Sequence, residues 1–247
     1  MDYMDTMGFE KSAERRSPSM FQGKMKAVTF SYDDGMTQDK RLIEMFDRYG
    51  LKGTFNLNSG MMDRDHYPPT GPVRYRIRPH EIKEVYEGHE VAVHTVNHPN
   101  LTTLAESEIL QEVEQDRLTL EKLVGYPIVG MAYPCGGVNN DERVANILRT
   151  QTPIQYSRTI TSTFNFDLQD NLLCFNPTVH HSQWEEFELL IDNFLSADPE
   201  KPMLMYIWGH SYEFDLDNSW DRMEKCCQKL AFHNDIFYGT NRQVFGV

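Results

Sequence analysis

The chain has 247 residues and a formal net charge of −13 with histidine neutral, from 24 Lys and Arg against 37 Asp and Glu. That balance excludes a general electrostatic grip on nucleic acid or anionic lipid, because a binding face there needs clustered positive charge. A hydrophobic content of 40% with 12% aromatics is enough for a sizeable core and excludes global disorder, and the longest apolar run, residues 203–208, is too short to span a bilayer.

Residues 1–24 are polar and charged, lack periodicity and contain no apolar secretory segment. They read as an N-terminal extension to a single domain over residues 25–247, and the expected location is cytoplasmic. Four cysteines, at 135, 174, 226 and 227, are too few for a disulfide scaffold and fit free thiols in a reducing compartment.

From residue 26 onward short apolar runs alternate with helical patterns. Strands are expected at 27–32, 53–57, 91–95, 128–133, 154–160, 203–210 and 236–239. They are brief, flanked by Gly, Pro, Asn or Asp, and mostly continuous in hydrophobicity, as buried parallel strands are. Between them, amphipathic segments at 39–49, 79–87, 104–124, 140–149, 184–195 and 219–232 predict helices; Gly50, Gly88 and Gly125 follow three of them as stop signals. This alternation predicts an α/β fold with a parallel sheet of about seven strands, open or closed into a barrel.

Polar clusters fall at the ends of four of these strands: Asp33-Asp34-Gly35, His94 through His98-Pro99, Pro134-Cys135-Gly136-Gly137, and Trp208-Gly209-His210. In a parallel sheet all four ends lie along one edge, the edge that carries active sites in such folds. Taken singly, each has a plainer explanation. Asp-Asp-Gly after a strand is commonly a turn or cap, His180-His181 reads equally as loop, and Cys226-Cys227 sits on a helical pattern as core thiols.

Taken together, they make a chemical set. Asp34, His94 and His98 supply one carboxylate and two imidazoles, which suit a divalent ion such as Zn2+, with Co2+ or Ni2+ as alternatives, and leave positions open for water. Asp33 beside them suits a base, and His210 from another strand suits a proton donor to a leaving group. The set describes metal-assisted hydrolysis.

These strings resemble the NodB-homology polysaccharide deacetylases over about residues 26–240. VTFSYDDG is similar to that family's first motif, GHEVAVHTVNHPNL to its second, AYPCGG to its third and YIWGH to its last. The resemblance implies a distorted (β/α) barrel related to the TIM barrel, and hydrolysis of N-acetyl or O-acetyl groups on a saccharide substrate. It makes Asp33 the base, Asp34, His94 and His98 the metal ligands, His210 the acid, and the backbone N–H of Cys135 an oxyanion donor.

Two positions depart from the family pattern. Ala132 stands where the third motif has an Arg that orients the base, and Cys135 where it has an aromatic. Arg158, on a neighbouring expected strand, is the candidate to supply the missing guanidinium. The family's fourth motif, an Asp followed by a Trp, has no clear counterpart; Glu213 and Asp215 lie near His210 in sequence. Segments 61–78, 164–176 and 212–220 are the expected walls of the substrate cleft. Alternative activities are a related C–N hydrolase acting on a cyclic imide or ureide, and a catalytically silent sugar-binding protein on the same scaffold.

Overall fold

The computed structural model describes residues 20–247, so most of the expected N-terminal extension lies outside the described residues. Eight parallel strands form one sheet: β1 Lys26–Asp33, β2 Gly53–Leu57, β3 Glu90–Val93, β4 Gly130–Ala132, β5 Tyr156–Arg158, β6 Val179–His180, β7 Met203–Gly209 and β8 Ile236–Tyr238. Seven of them follow the order β5-β4-β3-β2-β1-β7-β6, with β8 added to β1. Since β7 pairs with Lys26 to Tyr32, the opposite edge of β1 is shared: β8 takes Lys26 to Val28 and β2 takes Phe30 to Asp33. The extended chain before β6 spans the remaining gap. Phe175 exchanges hydrogen bonds with β5 through Ser157 and Thr159, and Thr178 bonds to Tyr206 of β7. The sheet therefore curls into a distorted barrel.

The helices are α1 Asp39–Arg48, α2 Ile82–Val85, α3 Glu106–Val124, α4 Glu142–Gln151, α5 Trp184–Ser196, α6 Glu213–Leu216, α7 Trp220–Leu230 and α8 Asn241–Phe245. Every residue of β1 is buried, which explains its unbroken apolar reading, yet its two faces differ. Val28, Phe30 and Tyr32 join the apolar layer under the helices, with the Phe30 ring 4.5 Å from that of Phe46 on α1. Thr29, Ser31 and Asp33 alternate with them, as the two-residue repeat of a strand requires, and turn into a polar barrel interior. There Thr29 donates to Asn241, which donates to Tyr206, while buried Glu90 accepts from Thr54 and Tyr156.

β6 was not expected, because two residues leave no apolar run to recognise. The segment expected as a helix over 79–87 is a 3-10 turn, Pro79–Glu81, followed by the single turn of α2. No helix among the described residues is long and apolar enough to cross a membrane. All four cysteines are free thiols.

Candidate active site

The four polar strand ends converge at the C-terminal mouth of the barrel. Asp34, immediately after β1, adopts φ 79°, and Thr95, His98 and Cys135 also have positive φ. Non-glycine residues in this region are strained, and such strain concentrates at functional sites. One ligand atom from each of Asp34, His94 and His98 lies within 4.8 Å of the others.

His94 shows how the fold prepares a ligand. Its Nδ1 lies 2.9 Å from the Ala132 carbonyl oxygen. A carbonyl only accepts, so Nδ1 carries the proton and Nε2 presents its lone pair. Burial holds the pKa of this imidazole down to about 4 against the pull of Asp33, which keeps it neutral. Its backbone is fixed from two sides. The His94 amide donates to Asp116 at 3.0 Å, and the Asn58 side chain donates to the carbonyls of His94 and Thr95. His98 stands edge-on to His94 with ring centroids 4.8 Å apart, its Nε2 3.7 Å from Asp34 Oδ1. These donors fit a divalent cation: two imidazoles and a carboxylate, one tautomer fixed by a carbonyl behind it.

Asp33 is almost wholly buried, with Oδ2 3.9 Å from His94 Nε2. Arg158 Nη2 donates to both carboxylate oxygens, at 2.6 and 2.5 Å, and Asn56 donates to Oδ1 at 2.8 Å. Burial alone would raise the Asp33 pKa. Arg158, followed by His94 and His210, more than offsets it and holds the carboxyl at about 2.

Arg158 is itself completely buried. Its Nε donates to Ser31, its Nη1 to the Thr159 carbonyl, and its guanidinium lies over the Trp208 ring at 4.3 Å. In the sheet Arg158 is the register partner of Ala132. Arg158 thus reaches Asp33 from the strand beside Ala132, and Ser31 of β1 accepts from its Nε.

Cys135 sits at the end of β4, its thiol 3.3 Å from the His98 carbonyl oxygen, and burial raises the thiol pKa. The Asn139 side chain donates to the carbonyls of Tyr133, Pro134 and Cys135, which sets the shape of this turn.

Across the mouth, His210 follows β7. Its Nδ1 lies 3.3 Å from Glu213 Oε1, an ion-pair approach that is not aligned as a hydrogen bond. Burial lowers the His210 pKa, but Glu213, Asp34 and Asp33 outweigh it and bring the value to about 9. Glu213 is correspondingly held at about 2, with burial opposed by His210, His180 and His181. Of the two acids near His210 in sequence, Asp215 is engaged elsewhere, accepting from Gln38 and from Trp220 Nε1.

His181, directly after β6, fills the space under Gly209. A Cβ at 209 would come within 2.0 Å of His181 Nδ1, and the ring is stacked between Tyr32 and Phe214. Gly209→Ala should therefore lower unfolding free energy by about 1–3 kcal/mol, as overpacking does. Chemical denaturation checks this, and a wild-type midpoint would show that His181 moves aside freely.

Segment 61–78, expected as a wall of the substrate cleft, is tied to the site by two bridges and two arginines. His66 and Arg74 pair as an antiparallel bridge, Met36 and Arg76 as another. Arg76 donates to the Asp34 carbonyl at 2.5 Å, and Arg74 packs over the Tyr212 ring at 4.0 Å, so this segment meets the 212–220 segment. Tyr67 and Tyr75 on it are largely exposed.

Residues 22–151 match the family model for polysaccharide deacetylases. Chitin deacetylase 1 of Cryptococcus neoformans var. grubii is 25% identical over 168 residues, covering 66% of this chain and 33% of that protein. The peptidoglycan-N-acetylmuramic acid deacetylase PdaC of Bacillus subtilis is 27% identical over 120 residues, 48% of this chain and 23% of its own. The chain thus spans about a third or less of the curated relatives it matches. Among solved structures, a T48 deacetylase with substrate superposes with TM-score 0.57 at 15% identity, covering 90% of this chain and 92% of that one. The structure of B. subtilis PdaC gives 0.54 at 18%, covering 90% and 91%. At these identities the structural likeness speaks for the fold alone. The motif matches and the family model together place the chain in the polysaccharide deacetylase family.

Proposed function

We propose that the chain is a metal-dependent hydrolase that removes acetyl groups, N-acetyl foremost, from a saccharide or glycoconjugate. The observation that carries this reading is the Asp34, His94 and His98 donor set with a clamped, ionised Asp33 3.9 Å from His94 Nε2. A divalent cation held there supplies Lewis acidity, lowering the pKa of water and polarising the acetyl carbonyl. Asp33 accepts the proton of the attacking water, with Arg158 and Asn56 fixing the carboxylate's orientation and Arg158 keeping it ionised. The Cys135 N–H donates to the oxygen on which negative charge develops. His210, protonated at neutral pH, gives its proton to the leaving amine. Tyr67 and Tyr75 offer ring faces against which sugar rings can pack.

The test is acetate release from N-acetylglucosamine oligosaccharides by protein supplied with stoichiometric zinc, beside the His94→Ala, His98→Ala double variant. Turnover lost in the variant is expected; equal rates in both would overturn the reading. Arg158 speaks against the catalytically silent alternative, since the function left vacant at Ala132 has a replacement in contact with Asp33.

The His210 pairing makes a pH prediction. With its pKa raised to about 9, the acid stays protonated through neutrality, so kcat falls only as pH rises past about 9. In Glu213→Gln the carboxylate charge is lost and the descending limb should move to lower pH by about one unit or more. A kcat profile measured from pH 5 to 10 checks this, and an unshifted limb would remove Glu213 from that role. The same pair predicts stability changes at the extremes. Glu213, depressed from 4.5 to about 2, stabilises the fold above its unfolded pKa and loses that contribution as pH falls through about 2. His210 contributes below its unfolded value and loses its share as pH rises through about 9.

A further inference from the structure

Glu213 is faced by three imidazoles at close range, none of them aligned for a hydrogen bond. His180 Nε2 lies 3.5 Å from Oε2, His181 Nε2 3.2 Å from Oε2, and His210 Nδ1 3.3 Å from Oε1. Both ring nitrogens of His181 and Nδ1 of His210 are buried without a hydrogen-bond partner, although His181 has no exposed surface. Buried polar atoms are nearly always satisfied, and an unsatisfied group in a cluster calls for a specific reason such as a bound ion.

The spacing supplies one. Ligand atoms held about 2 Å from a tetrahedral cation sit about 3.3 Å from one another. His180 approaches Glu213 Oε2 at 3.5 Å and His210 approaches Oε1 at 3.3 Å, so the carboxylate meets each imidazole at about that spacing through a different oxygen, and one ligand atom from each of His180, His210 and Glu213 falls within 4.8 Å of the other two. His180 ends β6, His210 directly follows β7, the strand paired with β6, and Glu213 opens α6 three residues later, so the group is anchored to the sheet edge. All three side chains are partly accessible, which provides an entry path.

We propose that His180, His210 and Glu213 form a second divalent-cation site, distinct from Asp34, His94 and His98, at which zinc binds and withdraws His210 from proton transfer. On binding, zinc takes the position of the Nδ1 proton, which leaves to solvent. The imidazole then keeps only its Nε2 proton, which a neutral, metal-bound ring gives up far less readily than an imidazolium does. Zinc in excess of the first site is therefore inhibitory. The binding part stands on geometry alone; the inhibitory part rests on His210 being the acid.

Equilibrium dialysis against zinc, with metal content measured per chain, tests the binding. Wild type should take up about two equivalents, and the His94→Ala, His98→Ala variant and His180→Asn about one each. Wild type saturating at one, or His180→Asn retaining two, would overturn the proposal. Glu213→Gln should lose the same equivalent as His180→Asn, which guards against misfolding of either variant, and X-ray absorption on the zinc-loaded His94→Ala, His98→Ala variant should show two imidazole ligands. Turnover read across the same titration should fall about ten-fold or more between the first and second equivalents in wild type and persist in His180→Asn. Two equivalents bound in a protein inactive at every zinc level would sink the proposed activity while supporting the second site.

Discussion

Arg158→Met should lower the free energy of unfolding by about 3–5 kcal/mol, the usual cost of removing one partner from a buried ion pair, and should shift the pH dependence of turnover. The guanidinium is completely buried and binds both oxygens of an almost fully buried carboxylate. Without it, the burial that now works against the charge on Asp33 is opposed by His94, His210 and the Asn56 donor, so the carboxyl pKa climbs from about 2 toward or beyond its ordinary value. The base is then partly protonated in the acid range, and the ascending limb of kcat/KM against pH moves upward. Arg158→Lys keeps a charge but loses the fork that reaches both oxygens, Ser31 and the Thr159 carbonyl together, so it should restore only part of the activity. Denaturant melts and pH profiles of the three proteins decide the matter. An Arg158→Met protein with the wild-type profile and midpoint would show that Asp33 is oriented by Asn56 alone.

The elements that define the barrel were legible where burial is continuous. β1, β2 and β7 present apolar runs because both sheet faces are covered, and their observed bounds fall within one residue of the expected ones. β4 and β5 are shorter than their runs, three residues each, although the flanking Ile128, Val129, Tyr133 and Ile154 are buried as well, which is why the apolar runs read longer than the paired strands. β6 and the four-residue α6 were illegible: two-residue and single-turn elements carry no periodicity, and they exist because neighbouring backbone offers hydrogen bonds. α8 owes its place to a Thr240 cap and to buried Asn241, features of tertiary context that a hydrophobic pattern does not register.

Within the site, the residues on conspicuous strand ends were readable, since Asp, His and Gly interrupt apolar runs there. Arg158 could be picked out for a different reason: the resemblance lacks its Arg at Ala132, and a neighbouring strand can deliver a guanidinium to the same spot, where Arg158 contacts Asp33. The supporting groups were not. Asp116 sits on the inner face of a long, otherwise ordinary amphipathic helix, and only the fold reveals that it receives the amides of Ser59 and His94. Burial raises its carboxyl pKa to about 7, yet nothing in its local sequence distinguishes it from the surface acids of α3. Glu213 was ambiguous with Asp215 two residues on, and the choice between them follows from Trp220 and Gln38 occupying Asp215. His180 and His181 gave the weakest signal of all, because the two-residue strand that carries His180 and precedes His181 is too short to recognise.

Asp33→Asn should reduce deacetylation by about 10²–10⁴-fold, the range expected when a general base is removed, while metal content at the Asp34, His94 and His98 site stays at the wild-type level. The substitution keeps shape and volume but changes the hydrogen-bond chemistry in a way the structure makes costly. Both oxygens now accept from Arg158, and Oδ1 accepts from Asn56 as well. The Asn carbonyl oxygen can take the Oδ1 place, but its amide nitrogen then points two donor hydrogens at the Arg158 guanidinium, and that fully buried guanidinium loses its counter-charge. Stability should therefore fall together with activity. The double variant Asp33→Asn, Arg158→Met removes the stranded charge, so its destabilisation should be smaller than the sum of the two single effects; this coupling is what a double-mutant cycle reads. Activity should not recover with it. A double variant as stable as expected but equally inactive separates the structural part of the pair from the chemical part. Near-normal turnover in Asp33→Asn would instead assign the base to another group, leaving the buried pair with a purely structural role.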